Sequence, residues 1–384
     1  MPDDLRSLFL LRDDVVFLNH GSFGACPRPV FERYQRWQRE LEAQPVEFLG
    51  RRLPGLLHEA RAALARYVGA RPDDLVFVTN ATTALNVVAR SLPLEAGDEV
   101  LTCDHEYGAM DRTWRFVCAR RHARLVRRPL PLPVRDPAEV ADAIWSGLTE
   151  RTRVLFVSHV TSPTGIVLPV AELVRRGRNA GLITVVDGAH GPGQLDLDLS
   201  ALGADFYAGN AHKWLMAPKG AAFLHARPEA QPLVEPLVVS WGWESESPGA
   251  SRFVDEQQWT GTRDPAAALS VPAAIEFQRE HGWPEVRERC RRLLSEARAE
   301  LLELDRGLEA VCPDDARWHR QMLALRLPAG VDGEALQAAL LARHRVEVPV
   351  TRVGEHRFLR LSAQGYNRRE DYRVLAGALS DLLS

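Results

Sequence analysis

The chain has 384 residues, 46% of them hydrophobic and 26% charged, with a formal net charge of −3. That length accommodates one large α/β domain with a smaller appendage, and the composition is ordinary for a soluble globular enzyme. Arginines dispersed among Asp and Glu, under a slightly negative total, give no electrostatic case for nucleic acid or an anionic membrane as partner, and no apolar run approaches the roughly 18 residues of a membrane span.

The first residues, Met1-Pro2-Asp3-Asp4, are acidic where a signal peptide is basic. Residues 1–20 read as a segment that packs on a small domain or on a partner subunit. From about residue 75 to 225, short β-branched apolar runs alternate with amphipathic stretches. The predicted strands are Leu75–Thr79, Glu99–Cys103, Arg124–Arg127, Arg153–Ser158, Leu182–Asp187, Asp205–Gly209 and Ala221–His225. Between most of them lie helix-length segments: Ala81–Ser91, Tyr107–Arg121, Pro137–Leu148 and Val170–Ala180. Continuously apolar strands with helical crossovers predict a mostly parallel sheet covered on both faces, so residues 21–265 read as a large domain. A charged stretch of helical period from Ala266 to Leu308, broken near Gly282-Trp283-Pro284, leads out of it. Residues 266–384 comprise this connection and a small C-terminal α+β domain, with strands near Met322–Leu327 and Phe358–Leu361 and a last helix near Arg369–Leu383.

Five cysteines (Cys26, Cys103, Cys118, Cys290, Cys312) at irregular spacing form neither CxxC pairs nor a disulfide framework, which fits a reducing cytoplasm. No metal-ligand pattern occurs. Of the 48 basic residues only Lys213 and Lys219 are lysines. Arginine stays protonated and cannot form an imine, whereas a desolvated lysine can. A side-chain amine nucleophile, if the chain uses one, is one of these two.

In open α/β sheets ligands sit at the carboxyl ends of the strands, so the polar residues that follow each strand are the candidates. Thr79-Asn80-Ala81-Thr82-Thr83 opens a helix, and free N–H groups there make either a phosphate cradle or a simple N-cap. Val185-Val186-Asp187-Gly188-Ala189-His190 puts a carboxylate at a buried strand end. It is either a helix cap or the partner of a cation such as a pyridinium nitrogen, which it would keep protonated. In Tyr207-Ala208-Gly209-Asn210-Ala211-His212-Lys213-Trp214 the lysine follows apolar and small residues, where burial would free its amine. Lys219, in Ala217-Pro218-Lys219-Gly220, has the setting of an exposed turn.

These residues resemble the class V branch of fold-type-I pyridoxal-phosphate enzymes, which includes cysteine desulfurases and isopenicillin N epimerase-like proteins. The resemblance runs from Phe17-Leu18-Asn19-His20-Gly21-Ser22 through His105-Glu106-Tyr107-Gly108-Ala109, Asp187-Gly188-Ala189-His190 and His212-Lys213-Trp214-Leu215. It continues through Trp259-Thr260-Gly261-Thr262-Arg263-Asp264-Pro265 to Arg360-Leu361-Ser362. It implies a fold-type-I α/β transferase fold in which a mixed, mostly parallel sheet binds pyridoxal 5'-phosphate. By the same resemblance Lys213 carries the cofactor as a Schiff base, and Asp187 pairs with the ring nitrogen. Thr82, Thr83, Asn210 and His212 bind the phosphate, joined by Thr262 from the second subunit of a homodimer with shared sites. His190 approaches the phenolic oxygen with Ser162, at a position where relatives often carry Asn. His105 stacks on the ring, or Tyr107 shares or takes that place. Arg360 holds the substrate's α-carboxylate, with Asn19 and His20 as further substrate contacts.

The cofactor alone does not fix the reaction, because a carbanion delocalised into its ring can be reprotonated, can eliminate or can transaminate. Persulfide-forming desulfurases need a cysteine shortly before the substrate arginine, and Val346–Phe358 has none. The expectation is therefore an isopenicillin N epimerase-like enzyme at an amino-acid α-carbon, with Lys213 serving one face and Tyr107 or His105 the other. A carbon–sulfur β-lyase acting on a cysteine conjugate or sulfoxide is the first alternative, and an aminotransferase the next. A cofactor-binding regulator would need an appended DNA-binding domain or a lost lysine, and neither is seen.

Overall fold

The computed structural model describes residues 5–383, in which thirteen strands form three sheets. In chain order they are β1 (Val16–Phe17), β2 (Leu75–Val78), β3 (Glu99–Cys103), β4 (Arg124–Arg128), β5 (Thr152–Ser158), β6 (Ile183–Gly188) and β7 (Phe206–Asn210). Then follow β8 (Ala222–Ala226), β9 (Glu309–Ala310), β10 (Met322–Arg326), β11 (Val346–Glu347), β12 (Val350–Val353) and β13 (His356–Ser362). The large sheet has the order β2-β8-β7-β6-β5-β3-β4. It is parallel from β4 to β7, and β8 runs antiparallel to both its neighbours. Strands β2, β3, β7 and β8 are buried along their whole length, as helices on both faces require. Strand β4 is one of the two edges and keeps Arg124 and Arg127 toward water, a charged edge that discourages further pairing.

Helices Ala81–Ser91, Gly108–Arg121, Pro137–Trp145 and Val170–Asn179 make the crossovers of the parallel part. The link from β7 to β8 has no helix: residues 211–221 form a turn that carries Lys213 and returns antiparallel. Two long helices absent from the sequence reading, Arg28–Ala43 and Leu53–Val68, precede the sheet, and both pack against the helix Val271–Glu280. The predicted break near residue 282 is observed. Gly282, at φ 57°, separates Val271–Glu280 from Trp283–Leu302. The smaller sheet has the order β12-β13-β10-β9. The N-terminal segment lies against the C-terminal part of the chain: β1 pairs in parallel with β11, and the Phe9 ring packs edge-on to Tyr366.

Register decides where the chemistry gathers. Ser158 of β5 pairs with Asp187 of β6, Asp187 with Ala208 of β7, and Gly188 with Gly209. The carboxyl ends of three central strands thus present Ser158, Asp187 and Asn210 side by side. Gly188 has to be glycine because Tyr207 passes across it: a Cβ would sit 2.0 Å from the phenol ring. At Gly24 the N-terminal loop closes on the lysine turn with φ 70°, and a Cβ there would lie 2.1 Å from the carbonyl oxygen of His212. Gly24→Ala therefore combines a left-handed backbone with a backbone clash. It should lower the unfolding free energy by about 1–3 kcal/mol, read as a lower urea midpoint at unchanged slope. An unaltered midpoint would show that the loop and the lysine turn are not closed on each other.

Candidate active site

The three strand ends open into a cavity of about 550 Å³. Its wall includes Thr82, Thr83, Tyr107, Ser162, Asp187, His190, Asn210, His212 and Lys213, so most of the sequence-derived candidates come together. Another cavity, of about 480 Å³ beside the exposed Trp241, contains no lysine.

One end of the cavity is built for an anion. Asn80 caps the helix Ala81–Ser91 by accepting from the Thr83 N–H at 2.8 Å, and the Asn210 side-chain carbonyl accepts from the Ala81 N–H, also at 2.8 Å. Cap and cradle are therefore one structure: the helix start is pinned by Asn80 and Asn210, and the Thr82 hydroxyl is left without a protein partner among the described residues. His212 Nδ1 donates to Ala221 O at 3.1 Å, which leaves its Nε2 as the free ring nitrogen. Burial, then the Lys213 charge, holds the His212 proton affinity down at about 4.

At the centre, Lys213 Nζ lies 3.2 Å from His190 Nε2. Burial is the largest cause that brings the amine down to about 7, the Arg360 charge adds to it, and Asp187 opposes both. Lys219 is exposed at the rim, where its Nζ donates to Gly24 O at 3.0 Å. Asp187 accepts from the Ala189 N–H at 2.9 Å and has no ion-pair partner among the described residues. Burial pushes its carboxyl above the usual range, partly offset by that N–H and by Lys213. A buried carboxylate without a cation suits a protonated ring nitrogen.

Arg360, on β13, stands one layer behind the wall. Its guanidinium donates to Ser162 O at 2.6 Å and to Ser22 Oγ at 2.8 Å, with Asn19 Oδ1 at 3.5 Å, while Nε is buried without an acceptor. No carboxylate pairs with it among the described residues, and burial brings it down to about 10. Ser22 and Ser162 line the cavity, so an arriving carboxylate would replace neutral acceptors.

His105 is buried outside the cavity wall, with Nδ1 2.7 Å from Asp104 Oδ1 and its ring 6.5 Å from Phe358. Tyr107 is 46% exposed and lies in the cavity wall. His20 is fully buried, with Nδ1 3.0 Å from the Tyr366 hydroxyl and Nε2 3.0 Å from Lys213 O, so it clamps the lysine turn. Asn19 acts through Arg360 and Ser22 rather than from the wall. Thr262 is exposed and lies outside this chain's cavity.

The sequence reading passed over Ser22, Ser158 and Glu106. Ser158 ends a predicted strand and could have been found by the rule used for Asp187. Glu106 could not, because its role comes from burial alone. Its carboxyl accepts from Ser158 N at 3.1 Å and from Cys103 Sγ at 3.2 Å, and it pairs with the Ser158 hydroxyl. Burial raises it from the usual 4.5 to about 7, and nearby Asp187 adds to the rise. The folded chain thus keeps a proton that the unfolded chain releases, so this group's contribution to stability falls as pH rises from 4.5 to about 7 and stays low above that. Glu106→Gln, which mimics the protonated acid, should match the parent near pH 4.5 and exceed it by about 2–3 kcal/mol at pH 8. Urea unfolding at the two pH values measures this, and a difference independent of pH would remove the buried proton from the account.

Among the described residues no His, Cys, Asp and Glu group could hold a metal, and no helix is long and apolar enough to cross a membrane. The chain is 42% identical to an isopenicillin N epimerase of Streptomyces clavuligerus, over 99% of this chain and 98% of that protein. It is 31% identical to a probable chloroplastic L-cysteine desulfhydrase of Arabidopsis thaliana, over 99% of this chain and 86% of that protein. An apo cysteine desulfurase from Thermococcus onnurineus superposes with a TM-score of 0.85 at 22% identity, covering all of this chain and 98% of the other, which establishes the fold. Residues 16–375 match the family model of class-V aminotransferases, and the chain is therefore a pyridoxal-phosphate enzyme of the class-V aminotransferase family.

Proposed function

We propose that this enzyme is an isopenicillin N epimerase-like catalyst that inverts the α-carbon of an amino-acid substrate. The observation that carries the cofactor part of the reading is the amine of Lys213, lowered toward neutrality in a cavity that also holds a cation-free Asp187 and an anion cradle. The choice of inversion rests on the 42% identity to an epimerase over the whole chain.

The wall residues fit the cofactor. Thr82, Thr83, Asn210 and His212 hold its phosphate, Asp187 its ring nitrogen, His190 and Ser162 its phenolic oxygen, and Tyr107 its ring face. Once bound by Lys213, pyridoxal phosphate supplies an electron sink for the negative charge at the α-carbon. Arg360 orients the substrate by a bidentate grip on its carboxylate, which exchanges Ser22 and Asn19 for a charged partner. Lys213 Nζ removes the α-proton from one face, and the Tyr107 hydroxyl returns a proton to the other. Thr262, which does not reach its own cavity, serves the phosphate site of a partner subunit in a homodimer with shared sites.

Carbon–sulfur β-elimination is the second reading, favoured by the desulfhydrase relative and by the same Tyr107 acting on a leaving group. Persulfide chemistry has no support. None of the five cysteines lines the cavity, and burial raises all of their thiols, to about 12 for Cys26, Cys290 and Cys312 and about 11 for Cys118. Free, buried thiols fit the cytoplasm proposed for the chain.

Incubation with a panel of amino acids and cysteine conjugates in D₂O distinguishes the readings. Epimerisation gives α-deuterium and inverted configuration without pyruvate. Pyruvate and sulfide without inversion would instead establish the lyase. Arg360→Ala should keep the cofactor's visible spectrum while kcat/KM falls by the equivalent of about 2–4 kcal/mol, the range for truncating one partner of a buried charge pair. Arg360→Lys, which keeps charge but loses the fork, should also be impaired. Unchanged kcat/KM in Arg360→Ala would remove Arg360 from substrate binding.

A further inference from the structure

Lys213 Nζ faces His190 Nε2 at 3.2 Å, and on the far side of the same ring His190 Nδ1 lies 3.1 Å from Trp214 Nε1. An indole N–H can only donate, so His190 Nδ1 is an acceptor. A neutral imidazole that accepts at Nδ1 carries its single proton on Nε2. The ring is neutral: burial is the largest cause that holds its proton affinity well below the usual range, and the Arg360 charge acts in the same direction. An N–H therefore points at the lysine nitrogen. An ammonium has three donors and no lone pair and would meet that N–H donor to donor, whereas a free amine accepts it.

We propose that Trp214 is a positioning residue whose indole N–H locks His190 in its Nε2–H form and thereby holds Lys213 as the free, nucleophilic amine. The inference rests on the reading of Lys213 as the cofactor-binding amine. Trp214 is suited to the task because it cannot turn away. It is fully buried against Val160, Leu195 and Met322, its carbonyl accepts from Gln278 at 2.9 Å, and its ring lies 4.8 Å from that of His20. The other charged groups that act on Lys213 are Arg360, which works in the same direction, and Asp187, which works against it. Neither bonds to Trp214, so the indole's effect is separable from theirs.

With only two lysines in the chain, the measurement is direct. The full chain, cofactor-free and labelled with ¹³Cε-lysine, gives one resonance for Lys213 and one for Lys219, assigned with Lys219→Arg. Trp214→Phe keeps an aromatic ring in the same packing and removes the donor. The Lys213 midpoint should rise by about one pH unit, a roughly fivefold loss of free amine at pH 7, while Lys219 keeps its midpoint. In a His190→Phe background, Trp214→Phe should have no further effect, as required of residues that act through one another. An unchanged Lys213 midpoint, or an equal rise in both backgrounds, overturns the proposal. If Lys219 also moves or the signals collapse, the ¹⁵N shifts of the His190 ring in the unsubstituted protein decide: Nε2–H supports the lock and Nδ1–H overturns it. The active-site reading fails on a different result, namely a borohydride-fixed pyridoxyl group that maps to Lys219.

Discussion

A lysine amine buried beside an arginine is the constraint on which the site depends. Lys213 sits at the turn between two antiparallel strands, where burial and the charge of Arg360 act on it in the same direction. Desolvation and like charge both disfavour the ammonium, so the fold itself supplies the neutral nucleophile that imine chemistry requires. The surroundings serve that position. His20 clamps the carbonyl of Lys213, Gln278 that of Trp214, and Gly24 lets the N-terminal loop come close enough to shut the turn.

The charges around the lysine are left incomplete in a way that specifies the ligands. Among the described residues Asp187 lacks a cation, Arg360 lacks an anion, and the Thr82 hydroxyl at the start of the helix Ala81–Ser91 lacks a protein partner in the cavity wall. Buried ions are tolerated when a partner neutralises them. A molecule with a basic ring nitrogen, a phosphate and a substrate carboxylate completes all three positions. Before it arrives, Ser22, Asn19 and the Ser162 carbonyl hold the guanidinium with neutral acceptors. They keep Arg360 oriented without neutralising it.

The large sheet was legible in the sequence because its strands are continuously apolar and end in polar residues, so Asp187, Asn210 and Lys213 stood out at the strand ends. The helices Arg28–Ala43 and Leu53–Val68 were not, since their identity depends on the apolar faces they share with Val271–Glu280, far along the chain. The pair His105 and Tyr107 shows the same limit at smaller scale. Both follow β3, and only the path of the backbone into the helix at Gly108 decides that Tyr107 faces the cavity while His105 turns inward to Asp104. The contacts of His20 were hidden for a related reason: that the chain engages both of its ring nitrogens depends on Tyr366 and Lys213, which lie far along the sequence.

The choice between inversion and elimination turns on protons rather than on the cofactor. Both begin with proton removal by the same lysine, so neither the cradle, nor Asp187, nor Arg360 distinguishes them. The difference lies where the proton from the second group is delivered: to the α-carbon for inversion, to a departing sulfur for elimination. In the proposed reaction Tyr107 makes either delivery, and its neighbours set its reach. It begins a helix at Gly108 and is tethered to the sheet through the adjacent Glu106, whose buried carboxyl is fastened to Ser158 at the end of β5. A hydroxyl on so short a tether covers a narrow arc above the cavity, and a proton donor with little freedom favours the atom that Arg360 holds fixed, the α-carbon next to the carboxylate. A leaving group farther out on a flexible side chain has no such anchor. That argument, together with the whole-length likeness to an epimerase, supports the proposed inversion.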